Sequence, residues 1–220
     1  SMARYGDIPT PFREDSFMCP ESRDPYGISK LAAEDILRSL CETHGVEYVI
    51  AVPHNIIGPK QKYDDPYRNV ASIMINLMLQ ERQPIIYGDG GQTRCFSYID
   101  DCLYCLKQMA FRPVSGEVIN IGPDEGEVTI LELADAIARQ LKFDLNPTFL
   151  PARPCEVKIA VCSSEKARRL LNYKTTTDFD TALASMIAYI RKRGPRPFRY
   201  HLSIEIESDS TPKSWKEQLF

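Results

Sequence analysis

A tyrosine and a lysine stand four residues apart in the run Pro25-Tyr26-Gly27-Ile28-Ser29-Lys30. On a helix that spacing puts both side chains on one face. A free tyrosine has a pKa of about 10 and is protonated at neutral pH. An ammonium group fixed one turn away favours the phenolate, and lowering the pKa by about 3 units takes roughly 4 kcal/mol of differential stabilisation. A tyrosine so prepared can take the proton of a hydroxyl group as a general base. Taken alone, the pair is also what a solvated helix face carries. Two asparagines add polar groups at places suited to a ligand. Asn55 follows a strand-like run, and strand ends border the crevice where α/β folds bind ligands. Asn69 and Val70 open a helix, whose N-terminus presents unpaired N–H groups and positive potential to a diphosphate. Asn69 reads equally as a plain N-cap.

These residues need elements to hold them. Residues 7–25 have no sustained period and read as a loop. From about 26 to 43, Ile28, Leu31, Ala32, Ile36, Leu37 and Leu40 recur at helical spacing, and Gly45 stops the pattern. EYVIAVPHN predicts a buried strand, followed by a polar loop and the helix ASIMINLMLQ. PIIYG is a short strand ended by the turn GDGG, FSYID a further strand, and 101–111 a helix with Asp100 and Asp101 as its cap. EVINIG and NPTFLP predict strands, and TILELADAIARQL predicts an amphipathic helix with a Thr129–Glu132 capping box. SSEKARRLLN and DFDTALASMIAYIRKRG predict two more helices, the second ended by Gly194. RYHLSIEIES alternates like an edge strand, and a last helix starts at Thr211-Pro212. Strands alternating with helices predict an α/β architecture with a largely parallel sheet.

The net charge of −3 over 220 residues speaks against a nucleic-acid-binding face. The apolar runs are too short and too interrupted by charge to span a membrane. Seven cysteines, an odd number without a disulfide framework, fit a reducing cytoplasm. Cys102-x-x-Cys105 could suggest redox or zinc chemistry, but it lies in a helical run without a second Cys or His pair. Buried thiols and no metal are the favoured reading. No G-x-G-x-x-G or G-x-x-G-x-x-G occurs anywhere in the 220 residues. The pyrophosphate cradle that such glycines build at a helix N-terminus is therefore missing from them.

The run Pro25–Glu34, together with Ser1-x-x-x-Tyr5-Gly6, resembles the extended short-chain dehydrogenase/reductases, in particular the NAD-dependent nucleotide-sugar epimerases and dehydratases, whose signature is PYGxSKxxxE. The resemblance runs over roughly residues 1–193. It implies that Tyr26, Lys30 and Ser1 are catalytic. Tyr26 would take the sugar C4 hydroxyl proton, helped by a cationic nicotinamide. Ser1 would orient that hydroxyl, and Lys30 would also hold the nicotinamide ribose. Pro53 and His54 would line the NAD site, although His54 also reads as an ordinary strand-end histidine. Asn55, Asn69 and Val70 would meet the diphosphate of a UDP-sugar or other nucleotide-sugar. Tyr87, in PIIYGDG, would pack near the base, unless it is simply core. Arg94, in QTRCFSYID, would reach the diphosphate by charge-assisted hydrogen bonds, with Cys95 replacing the family's aspartate. Arg153, in Arg153-Pro154-Cys155-Glu156, would give a second diphosphate or ribose contact, although the family's R-P-G-D is altered there. Asn120-Ile121-Gly122 matches a structural strand end.

The resemblance implies the C-terminal part of a Rossmann-type parallel sheet plus a small mixed α/β sugar-nucleotide-binding subdomain. Residues 1–60 would be a remnant of the Rossmann domain. Residues 61–193 would be mainly the sugar-nucleotide subdomain with returning Rossmann segments, and 194–220 a C-terminal extension. The expected activity is nucleotide-sugar 4-epimerisation by a truncated chain. The alternatives are a dehydratase or decarboxylase of the same family and a non-catalytic sugar-nucleotide-binding fragment. Met2-Ala3 stands where dehydratases carry Asp-Glu, which disfavours 4,6-dehydration. An isolated half would leave apolar surface in need of a partner, so a homodimer or other oligomer is expected.

Overall fold

The computed structural model describes residues 1–6, 8–16, 25–153, 156–204 and 207–220. Asp7, residues 17–24 of the loop before Tyr26 (with Cys19), Pro154-Cys155 of the arginine motif and Glu205-Ile206 of the tail lie outside the described residues. A 3₁₀ helix, Met2–Tyr5, opens the chain. The helices are α1 (Pro25–His44), α2 (Val70–Leu79), α3 (Ile99–Phe111), α4 (Ile130–Leu141), α5 (Glu165–Leu171), α6 (Phe179–Arg193) and α7 (Lys213–Lys216). The strands are β1 (Ile50–Pro53), β2 (Ile56–Ile57), β3 (Ile85–Tyr87), β4 (Thr93–Arg94), β5 (Ser97–Tyr98), β6 (Val118–Ile121), β7 (Val128–Thr129), β8 (Thr148–Leu150) and β9 (Ile159–Ala160). The chain is thus α/β with parallel strand pairs, and it divides into two compact units.

The first unit comprises Ser1–Ile56, Arg94–Glu127 and Ile159–Asp178. Its centre is the parallel pair β1–β6, in register from Ile50 opposite Val118 to Pro53 opposite Ile121. All four β6 side chains are buried. Cys102, Cys105 and Met109 of α3, Ile119 and Ile121 of β6, and Ala167 and Leu171 of α5 form one apolar cluster. Asn120 sits in this strand with no exposed surface, and its side-chain oxygen, side-chain nitrogen and backbone N–H are each hydrogen-bonded. It accepts from the Tyr5 hydroxyl at 2.7 Å and donates its amide to the Phe12 carbonyl at 3.2 Å. Its backbone N–H donates to Glu14 at 2.8 Å. The opening loop is therefore tied to β6 by one polar side chain. This accords with the structural role read for Asn120.

The second unit comprises Ile57–Thr93, Val128–Lys158 and Phe179–Phe220. Strands β3 and β8 pair in parallel, with Tyr87 opposite Leu150. Helix α2 is buried on nearly every side between α4 and α6, as its almost unbroken apolar sequence requires. The capping box on α4 is present in full, and Lys142 ends that helix at φ 57°. Gly194, at φ 80°, follows the last residue of α6, where a residue with a Cβ would be strained.

Three expectations are corrected. The strand expected over Phe96–Asp100 is only two residues long, because Ile99 already opens α3 with Tyr98 at its cap. Asp100 and Asp101 lie inside the first turn of α3 and do not cap it. There their charges still oppose the helix dipole favourably, and Asp101 accepts from the backbone and hydroxyl of Thr176. The described part of RYHLSIEIES is not a strand. Its polar groups are taken by a loop: Arg199 N–H donates to the Asp64 carbonyl at 2.9 Å, and the Tyr67 hydroxyl donates to the Leu202 carbonyl at 3.3 Å.

Candidate functional site

In the first unit, α1 begins at Pro25, a residue whose fixed φ suits a first turn. Tyr26 and Lys30 follow on its exposed surface. The Lys30 ammonium lies 5.3 Å from the centre of the Tyr26 ring. The phenol is 54% exposed, so it is open to a reacting molecule. On its other side α1 buries Gly27 and Glu34. Glu34 forms an ion pair with Arg4 at 3.0 Å, both side chains being buried. This pair fastens the 3₁₀ helix to α1. Ser1 caps that 3₁₀ helix, its hydroxyl accepting from the Ala3 N–H at 3.3 Å. The turn that Ser1 caps is thus fastened to the helix that carries Tyr26 and Lys30, by a salt bridge that sequence reading did not single out. Its signal was the glutamate that closes the PYGxSKxxxE pattern.

Pro53, His54 and Asn55 occupy the C-terminal end of β1. His54 is 1% exposed, and its Nε2 lies 3.0 Å from the Pro123 carbonyl. That contact fixes the proton on Nε2. Nδ1 is buried without a hydrogen-bond partner among the described residues. Burial lowers the His54 pKa, opposed only in part by the Pro123 carbonyl and Asp124. The imidazole is neutral at pH 7 and turned into the protein. Gly122 is required beside it: a Cβ there would meet His54 Nε2 at 2.5 Å and would also collide with Ser97 Oγ. Asn55 takes φ 45°, a left-handed conformation that asparagine tolerates. Its amide donates to the Cys95 carbonyl at 2.9 Å. Arg94, on β4, is half-buried in the same unit. Cys95, Cys102 and Cys105 are buried, and burial pushes their thiols up to about 12. Cys102 and Cys105 are therefore packed, protonated thiols, not a reactive pair. Among the described residues no group of three or more His, Cys, Asp or Glu is placed to hold a metal ion.

The second unit carries Asn69, Val70, Tyr87 and Arg153. Asn69 caps α2, its side chain accepting from the Ala71 N–H at 2.9 Å. Val70 is the first residue of that helix, where a backbone N–H has no acceptor within the helix. Tyr87, at the end of β3, donates its hydroxyl to Ser214 Oγ at 2.7 Å and accepts from the Ser214 N–H at 2.9 Å. The Arg153 guanidinium lies 4.9 Å from the centre of the Trp215 ring. Sequence reading singled out Tyr87 and Arg153 but not Ser214 and Trp215, the residues that contact them. The Tyr87–Ser214 pair is 127 residues apart in sequence, and no local pattern marks it.

Residues 1–122 match the NAD dependent epimerase/dehydratase family. That is more than half of the chain, and the chain belongs to this family. An uncharacterized UDP-glucose epimerase of Bacillus subtilis is 28% identical over 84% of the chain and 57% of its own length. A UDP-N-acetyl-alpha-D-glucosaminuronate decarboxylase of Bacillus cytotoxicus is 35% identical over 60% of the chain and 42% of its own length. Among solved structures, a UDP-glucuronic acid 4-epimerase of Bacillus cereus, in complex with UDP-glucuronic acid and NAD, superposes with TM-score 0.80 at 29% identity. That superposition covers 87% of this chain and 59% of the other. The chain spans about half the length of the curated relatives it matches. The fold is that of the Rossmann-like epimerases, and the family comprises nucleotide-sugar epimerases, dehydratases and decarboxylases.

Proposed function

We propose that the chain serves nucleotide-sugar 4-epimerisation. The observation that carries this reading is the Tyr26–Lys30 pair, exposed on one face of α1 with the Ser1 turn fastened to the same helix. In this reading Tyr26 removes the C4 hydroxyl proton and later returns one. Lys30 sets its ammonium beside the reacting phenol, and Ser1 directs the hydroxyl toward it. Asn55, Asn69, Val70, Arg94 and Arg153 hold the diphosphate, and Tyr87 borders the base. The residues present fit one end of NAD. Lys30 is exposed for the nicotinamide ribose and Pro53 ends β1, whereas the His54 ring is buried against Pro123 and offers that site no side chain. No glycine-rich cradle for the pyrophosphate occurs in the 220 residues. NAD, when bound, supplies the acceptor for the C4 hydride. The domain division proposed is a Rossmann part over 1–60, a mainly sugar-nucleotide part over 61–193 and an extension over 194–220.

Melting temperature measured with UDP, UDP-sugars and NAD tests the reading. A rise with UDP and UDP-sugars, together with interconversion of C4 epimers once NAD binds, is the expected result. No stabilisation by any of them sinks it. A decarboxylase activity is the second reading, supported by the 35% identity to the Bacillus cytotoxicus enzyme. Release of CO₂ from a UDP-hexuronic acid, without epimer formation, would favour it.

A further inference from the structure

Residues 195–220 belong to the second unit, and this tail packs within it at several points. Asn76, buried in α2, exchanges two hydrogen bonds with the backbone of Arg196, at 2.8 and 3.0 Å. Asp65, also buried, is 4.0 Å from His201. Tyr67 meets the rings of Tyr200, His201 and Trp215 edge-on, with centroids 6.2, 5.4 and 5.2 Å away. The tail is therefore a fitted part of the unit. Its last helix ends against two side chains that the function above places at the nucleotide. Ser214, 1% exposed, makes both hydrogen bonds to the Tyr87 hydroxyl. Trp215 carries the Arg153 guanidinium on its ring.

We propose that Ser214 and Trp215 are positioning residues of the nucleotide site, fixing the Tyr87 ring and the plane of the Arg153 guanidinium. This rests on the reading of Tyr87 and Arg153 as nucleotide contacts. The physical case is one of pre-organisation. An exposed arginine loses much rotamer freedom when it binds a diphosphate. Stacked on an indole, it has already lost part of that freedom, so less is lost on binding. The indole can do this because Tyr67 packs against it edge-on. Tyr87 is similarly anchored: with donor and acceptor both satisfied by Ser214, the far end of its side chain is held in one place.

A double-mutant cycle on UDP affinity, measured by titration calorimetry on the 220-residue chain, tests this. Trp215→Leu should weaken UDP binding by about 3- to 10-fold, and Ser214→Ala by about 2- to 5-fold. Trp215→Tyr keeps a π face and should stay within about 2-fold of wild type. In an Arg153→Gln background, Trp215→Leu should cost almost nothing further, because the guanidinium it positions is gone. If the leucine variant does not fold, Trp215→Gln closes the same cycle. Equal losses in both backgrounds, or none in either, would overturn the positioning role and leave the nucleotide reading standing. Wild-type UDP affinity in Arg153→Gln alone would overturn the nucleotide reading of Arg153, and the positioning role with it.

Discussion

Tyr26 and His54 are both titratable residues in the first unit, and the structure treats them oppositely. Tyr26 is open to solvent with an ammonium one turn away. If it moves the hydroxyl proton, Tyr26→Phe should lower turnover by about 10²- to 10⁴-fold while UDP-sugar affinity changes little. Steady-state kinetics beside calorimetry checks this, and a Phe variant that keeps its turnover would remove Tyr26 from the chemistry. His54 is sealed, with its one N–H spent on Pro123 and, among the described residues, no acceptor for a second proton. Its folded pKa is below the ordinary 6.5. Between those two values the unfolded chain binds a proton that the folded chain refuses. Stability should therefore fall as pH drops below 6.5, with a slope of up to about 1.4 kcal/mol per pH unit. Urea unfolding between pH 7 and 5 measures the slope, which a His54→Asn variant should lack. Tyr26 could be read from its motif. The burial of His54 could not, because its position at a strand end fits an exposed ring as well as a buried one.

Among the elements, the helices were the most legible. The Thr129–Glu132 capping box and the end of α6 before Gly194 follow directly from local spacing. The tail was misread because alternation alone cannot say which partner takes the backbone hydrogen bonds. That partner is the loop 64–67, and its key is Asp65. Burial raises the Asp65 pKa. The Tyr67 N–H, the Arg68 guanidinium, His201 and Lys62 outweigh that effect and hold it below the ordinary 3.8. A depressed carboxylate stabilises above its unfolded value and loses that contribution as pH falls through its folded one. The loop and tail should therefore hold together down to about pH 4 and loosen below it. The chain has one tryptophan, Trp215, in that tail. Its fluorescence should shift toward that of exposed indole as pH falls below about 4, and in Asp65→Asn it should already be shifted at neutral pH. A signal flat to pH 2 in the wild type would contradict this.

On the scale of the whole molecule, the apolar surface of α1 is the outstanding feature. Gly27 and Glu34 are buried on one side, while Ile28, Ile36, Leu37 and Leu40 are exposed by 51%, 59%, 40% and 54%. Exposed apolar groups concentrated on one helix mark a contact surface. The chain should self-associate through it, and light scattering after size exclusion should give a dimer or larger species. Ile36→Glu with Leu40→Glu should shift that species to monomer. A wild-type monomer at tens of micromolar would remove this role from α1. No helix among the described residues is long and apolar enough to cross a membrane.

The sequence by itself determined the family, the α/β class, the Tyr26–Lys30 pair and most helix limits. These follow from residue spacing within a turn or a strand, where geometry is set locally. Tertiary structure alone decided which polar groups share a neighbourhood. It paired Arg4 with Glu34, turned His54 onto Pro123, and set Ser214 and Trp215 of the tail against Tyr87 and Arg153. Such pairings join residues tens to more than a hundred positions apart. They depend on how the elements pack, and no periodicity in the chain encodes that.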